Sequence, residues 1–130
     1  EGITFVRYDI SAERVEPGDT ITVTTVWRAE TPVDADWTIF VHLIDEEDDL
    51  VAQNDQPPLG GSYPTSLWHP GDVVRDWRRL VVGDAASSGA CELAIGMYNL
   101  QTQERLPGYA ARGGARLEND TIVAGQVTIE

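Results

Sequence analysis

The chain has 130 residues, 42% of them hydrophobic and 24% charged, which is the composition of one globular domain rather than a disordered tract. A chain of that length buries roughly two-thirds of its extended surface on folding, enough for a core without disulfide or metal staples. Twenty-two acids against nine arginines and no lysine leave a formal charge of −13, which argues against nucleic-acid partners and anionic lipid surfaces. No apolar run nears the roughly 20 residues of a membrane helix, so no membrane insertion of this segment is expected.

Short strand-like runs alternate with turn signals along the whole chain. Ile3 to Ile10 is the first run, with Thr4, Val6, Tyr8 and Ile10 expected on one face. After the Glu16-Pro17-Gly18-Asp19 turn, Thr20 to Ala29 alternates cleanly, with Ile21, Val23, Thr25 and Trp27 on the inner face. Asp36 to Asp45 is apolar on both faces and reads as a central strand. An acidic turn, Asp45 to Asp49, leads into Leu50 to Asn54, so these two strands are expected to form a hairpin. Asp55 to Gly71 is irregular and carries four of the seven prolines. Val73 to Val82 follows, with Trp77 expected inward. Asp84 to Gly89 is a small polar loop. Ala90 to Tyr98 places Cys91, Leu93, Ile95 and Met97 on one face. Asn99 to Gly114 is loop-like, and Thr121 to Ile129 is the closing strand.

The pattern predicts an all-β chain: an immunoglobulin-like antiparallel β-sandwich of about seven or eight strands, with a closed barrel as the alternative. A single domain spans 1–130, and the start at Glu1 rather than Met suggests a domain excised from a larger protein. The lone cysteine, Cys91, excludes an internal disulfide and is expected to be a buried, inert thiol.

The proline-rich loop is the most unusual segment, because structureless loops beyond about 12–15 residues are uncommon and often functional. As a sugar-binding edge, it would stack Tyr63 and Trp68 on sugar faces, with Asn54, Asp55, His69 and Asp76 as polar partners. As a lid, it would fold the two rings back over one end of the sandwich. Asp45, Glu47 and Asp49 are oxygen ligands of the type a hard cation such as Ca2+ takes, but the turn lacks the EF-hand glycine and terminal Glu. A solvated hairpin tip is the plainer reading, and no cofactor is expected.

His42 and His69 are the only histidines and are too dispersed for a zinc site. Ser62 or Ser66 would be the nucleophile of a Ser-His-Asp triad, but no G-x-S-x-G elbow exists. Asn119-Asp120-Thr121 matches the N-glycosylation triplet, which has force only in a secreted eukaryotic protein. Arg75, Arg78 and Arg79 are expected to pair with the many acids.

One order of motifs runs through nearly the whole chain: Pro17-Gly18-Asp19, Val26-Trp27, Phe40-Val41-His42-Leu43, Gln53-Asn54-Asp55, Gly61 to Trp68, Pro70 to Asp76, Gly96-Met97-Tyr98 and Arg105-Leu106-Pro107. It resembles the soluble C-terminal domain of large bacterial membrane proteins of the glycosyltransferase 39 type, similar to dolichyl-phosphate-mannose mannosyltransferases and frequent in Chloroflexi-like bacteria. Tyr63 to Asp76 is the most specific stretch. The resemblance implies a non-catalytic all-β accessory domain on the extracytoplasmic side of a bacterial membrane. Its partners would be the parent membrane domain or an envelope glycan. The catalytic acids of such transferases lie in the membrane part, so no catalytic residue carries over. Relatives tend to have Gly within the turn that is here Asp45 to Asp49. An interaction module without a small ligand is the second reading, and a free-standing hydrolase is a distant third. Exposure of Tyr63 and Trp68 discriminates the first two.

Overall fold

A computed structural model describes residues 2–107, 116–117 and 120–130. Eight strands form among the described residues: β1 (Ile3–Ile10), β2 (Arg14–Val15), β3 (Thr20–Ala29), β4 (Thr38–Ile44), β5 (Leu50–Gln53), β6 (Val73–Val81), β7 (Gly89–Tyr98) and β8 (Ile122–Ile129). They build two sheets, a three-stranded one in the order β1-β3-β6 and a five-stranded one in the order β2-β8-β7-β4-β5. The sheets do not join into one hydrogen-bonded cylinder, so the architecture is a β-sandwich and not a closed barrel. All neighbours pair antiparallel except β2 and β8, which run parallel. β2 is too short for any periodicity to announce it. It is held through Thr128 N–H to Glu13 O and Glu130 N–H to Val15 O, both 2.8 Å.

The core lies between the sheets, where the period-2 apolar faces meet. Ile21, Val23, Trp27 and Leu80 come from one sheet and Ile39, Val41, Leu43, Leu93, Ile95, Met97, Val127 and Ile129 from the other. The expected hairpin forms, with His42 opposite Gln53 and Leu43 opposite Ala52. Burying side chains of this size contributes about 1.5–3 kcal/mol each before conformational entropy is counted.

Two expected strand faces change. In β1 the register shifts between Phe5 and Arg7, so Val6 is the extra residue of a bulge and is 41% exposed. The bulge reverses the phase, and the residues packed on the core are Ile3, Phe5, Tyr8 and Ile10. In β6 Val74, Asp76, Arg78 and Leu80 are buried, while Val73, Arg75, Trp77, Arg79 and Val81 face solvent. Trp77 is therefore an outward residue, 59% exposed, and not part of the core. The physical reason is the pairing of Asp76 with Arg78, described below.

Gly96 on β7 has a packing role. A Cβ built there would lie 2.5 Å from Phe40 Cε2, because the Phe40 ring lies across the glycine from the neighbouring strand. Phe40 is itself 1% exposed, so the ring has little room to retreat. Gly96→Ala is expected to lower unfolding free energy by about 1–3 kcal/mol, the usual range for overpacking. Urea denaturation measures it, and an unchanged midpoint would mean that the Phe40 ring moves freely.

Candidate functional site

Asp76 and Arg78 lie two residues apart on one strand, so both side chains point into the sandwich. Every guanidinium N–H is used. Nε and one terminal nitrogen donate to Asp76 Oδ2 at 2.9 and 2.7 Å. The other terminal nitrogen donates to Ile39 O and Asn54 O at 2.8 and 2.9 Å, and a fifth contact reaches Gln56 O at 3.4 Å. Asp76 Oδ1 accepts the Leu59 N–H at 2.8 Å. The pair is 3% exposed on both sides. It ties β6 to β4 and to the start of the proline-rich loop. Asp76 is thus a structural anchor and not a group open to a ligand.

The loop folds as two short 3-10 turns, Pro58–Gly61 and Thr65–Leu67. Trp68 is 3% exposed and belongs to the core, and its indole N–H donates to Tyr63 O at 2.9 Å. The Tyr63 ring is half-buried, 6.3 Å from Trp68 and tilted by 31°. The two rings form a lid, and Trp68 offers no face to a sugar. Asn54 is committed as well, donating to Arg79 O at 2.7 Å and accepting from Gln56 Nε2 at 2.8 Å. Asp55 bonds His42 Nε2 at 3.0 Å and the Tyr98 hydroxyl at 3.2 Å. Of the six proposed ligand residues, only His69 is largely exposed, at 83% of its side chain.

The Tyr63 hydroxyl donates to Asp72 Oδ2 at 2.5 Å, and the His69 N–H donates to the same oxygen at 2.9 Å. The Tyr63 bond, then the His69 backbone bond, hold the Asp72 carboxyl below its ordinary range. The same bond pushes the Tyr63 phenol up. Burial pushes the Cys91 thiol up, and Asp45 and Glu46 add to the effect, so the thiolate is disfavoured. Tyr98 is raised by burial and by Asp55.

The acidic hairpin tip brings one oxygen each of Asp45, Glu47 and Asp49 within 4.8 Å of one another. Asp45 Oδ1 already accepts the backbone N–H groups of Glu47 and Asp49, both at 2.9 Å, so it caps the turn. Asp48 sits at φ 65°, a left-handed position where glycine is unstrained. One oxygen from each of the three acids would leave the rest of the six to eight ligand positions of Ca2+ to second carboxylate oxygens, backbone carbonyls or water. Asp55, Asp72 and Asp76 are engaged elsewhere and do not complete the set. Ser62 Oγ donates to Leu59 O, and neither Ser62 nor Ser66 hydrogen-bonds a histidine among the described residues. Of the arginine group, Arg78 forms the expected ion pair, and Arg75 and Arg79 form none among the described residues. Asn119, and 108–114 of the last long loop, lie outside the described residues.

Sequence reasoning missed a groove of about 350 Å3 at one end of the sandwich. Trp37, Asp36, Thr38, Asn99, Leu100 and Gln101 line it, with Pro57 and Pro64 of the loop. Thr65, fully buried, holds two of the lining residues in place: its Oγ1 accepts the Trp37 N–H at 2.9 Å and donates to Ala35 O at 2.6 Å. Asp36 Oδ1 accepts the Ser66 N–H at 3.1 Å. Among the described residues, the half-buried Trp37 indole N–H and the exposed Gln101 carboxamide have no hydrogen-bond partner. The groove therefore offers one aromatic surface beside unclaimed donors and acceptors. The only signal in the sequence was Trp37 at the start of a strand, and its proximity to Asn99 and Gln101 is a product of the fold.

No protein-family model matches the chain, and no curated protein sequence matches it. Among solved structures, the chain is similar to the C-terminal domain of wzt, with TM-score 0.61 and 13% identity over 99% of this chain and 74% of that one. It is also similar to a Niemann-Pick type C2 protein from Japanese carpenter ant, with TM-score 0.59 and 12% identity over 100% of this chain and 94% of that one. A β-glucuronidase from glycoside hydrolase family 2 matches with TM-score 0.55 and 13% identity over 72% of this chain, but over only 10% of the enzyme. At such identities the likeness establishes the fold, a β-sandwich.

Two predictions follow from these bonds. Arg78→Met leaves Asp76 buried without its cation and is expected to cost about 3–5 kcal/mol in urea denaturation. Asp76→Val with Arg78→Met removes both charges but orphans the Leu59 N–H and Asn54 O. It is expected to regain only part of the loss, and full recovery would mean those groups find other partners. For Tyr63 and Asp72, the depressed carboxyl gives stability above about pH 3.9 that is lost as pH falls through its folded-state value. The raised phenol gives stability below about pH 10 that is lost as pH rises through its own folded-state value. Tyr63→Phe is expected to flatten both limbs of melting temperature against pH. A variant profile parallel to wild type would contradict the assignment.

Proposed function

We propose that the chain is a non-catalytic accessory domain of a membrane-bound, glycosyltransferase-like protein, on the extracytoplasmic side of a bacterial membrane, and that it binds carbohydrate. The observation that carries the binding part is the Trp37 groove, which combines an indole surface with an uncommitted indole N–H and carboxamide. Sugars present apolar C–H faces and ring hydroxyls, and such a surface meets both. The groove is small and one-sided, which suits one or two sugar units rather than a long chain. The parent and its location rest on the motif order from Pro17 to Pro107, above all Tyr63 to Asp76. The non-catalytic part rests on the same resemblance, in which the chemistry belongs to the membrane portion.

A second reading, an interaction domain without a small ligand, is favoured by the burial of Trp68. That burial removes the loop's own rings from sugar stacking and leaves the loop as a wall of the groove.

Tryptophan-fluorescence titration with a panel of neutral oligosaccharides tests the proposal. Wild type is expected to give a saturable change, weakened about tenfold or more by Trp37→Ala and by Gln101→Ala. Trp68→Ala is expected to lower the melting temperature instead. A flat response across the panel in folded wild type removes the carbohydrate part and leaves the interaction domain.

A further inference from the structure

The outward face of the three-stranded sheet bears charge of the opposite sign to the molecule as a whole. Along β6 it presents Val73, Arg75, Trp77, Arg79 and Val81. The register places Val26 between Arg7 and Arg75, and Thr24 between Asp9 and Trp77. Arg28 lies opposite Val73 and is paired with Glu30. Among the described residues Arg7, Arg75 and Arg79 are exposed and make no salt bridge, in a chain of net charge −13. Val73, Trp77 and Val81 are 61%, 59% and 63% exposed, so the patch is apolar along its axis as well as cationic. Next to it, Leu59, Tyr63, Asp72, Val73 and Arg75 bound a depression of about 310 Å3.

We propose that this face docks an acidic protein segment, one that sets carboxylates against Arg75 and Arg79 and an apolar side chain against Trp77. This goes beyond the groove reading, because the two surfaces share no residue. Tryptophan and arginine are the residues most enriched at interface hot spots, and here the tryptophan sits at the centre of the row. Strand geometry puts Arg75 and Arg79 about 13 Å apart with Trp77 midway. An extended partner with acid, apolar and acid at every second residue matches that spacing.

Other occupants fit less well. A second copy packed face to face about a twofold axis would set unpaired arginines against their own kind. A neutral glycan would find no carboxamide on the β6 row and two valines it does not use. An anionic bilayer or nucleic acid would be repelled by the rest of a chain this acidic. Pairing at the β6 edge is hindered at Arg79, whose carbonyl oxygen already accepts from Asn54 Nδ2 at 2.7 Å. The partner therefore lies across the face and does not extend the sheet.

The test uses 15N-labelled chain and a synthetic peptide containing Glu-Thr-Leu-Thr-Glu, with Lys-Thr-Leu-Thr-Lys as control. At millimolar acidic peptide, amide shifts are expected along β6 and β3, with affinity falling at high salt. Trp77→Ala and Arg75→Ser/Arg79→Ser are each expected to weaken binding about tenfold or more. Both change exposed side chains, and an unchanged melting temperature confirms folding. The proposal is overturned by an absence of shifts on this face, by equal binding of the lysine peptide, or by affinity unaltered in both variants. It is also overturned if heparin or phosphatidylglycerol vesicles occupy the same residues more tightly than the peptide, or if wild type self-associates in sedimentation and Trp77→Ala does not.

Discussion

The buried Asp76–Arg78 pair is the constraint on which the rest of the structure depends. Two charges taken from water into a sandwich core are expensive, and their attraction offsets that only when every remaining donor and acceptor is satisfied. Here all five guanidinium protons and both Asp76 oxygens have partners. The partners come from β4, from β6 itself and from the loop that follows β5, so one side chain closes the two sheets at that edge. The carbonyl of Asn54 lies in irregular chain and is taken by Arg78, while that of Gln56 also accepts the Ile39 N–H at 2.9 Å. Arg78 lets this backbone run beside the core without stranding polar groups.

From that anchor the functional surfaces follow. Leu59 is held at φ 54°, a left-handed position uncommon for a branched residue, and its N–H is fixed by Asp76. With its start pinned there, the loop returns through Tyr63 and Trp68 as a lid. Its buried Thr65 then grips Ala35 and Trp37. The groove wall is therefore the far end of a chain of contacts that begins at Arg78. Placing Asp76 and Arg78 inward also forces Arg75, Trp77 and Arg79 outward, since alternate residues of a strand face opposite ways. The basic face and the buried pair are two consequences of one choice of phase.

That choice explains what the sequence made legible. β3 and β7 each have one apolar phase and one mixed phase, so their inward faces were readable from alternation alone. In β6 the two phases tie: Val73, Trp77 and Val81 against Val74, Leu80 and Val82. Hydrophobicity breaks the tie toward Trp77, and the structure breaks it the other way. The usable signal was Asp76 and Arg78 at i and i+2, on one face and close enough to neutralise each other. In β1 a single bulge residue, Val6, puts Ile3 and Phe5 instead of Thr4 on the core face that Tyr8 and Ile10 share, and no residue type there marks it. The hairpin at Asp45 was readable because turn chemistry is local. The Trp37 groove was not, because it joins the entry of β4, the exit of β7 and a loop between β5 and β6.

The distribution of charge gives the last step. Acids are spread through most turns and strand ends, whereas three unpaired arginines share one sheet face. A uniformly acidic surface would serve solubility alone. The unpaired guanidinium groups around the exposed indole lie outside the core between the sheets, and Trp77 itself is 59% exposed. An exposed tryptophan between two arginines is also a standing aggregation hazard. The net charge of −13 mitigates it by keeping copies apart, while the local positive field still admits an acidic partner. The acidity of the chain and the basicity of this one face thus work together: repulsion between copies keeps the docking face free.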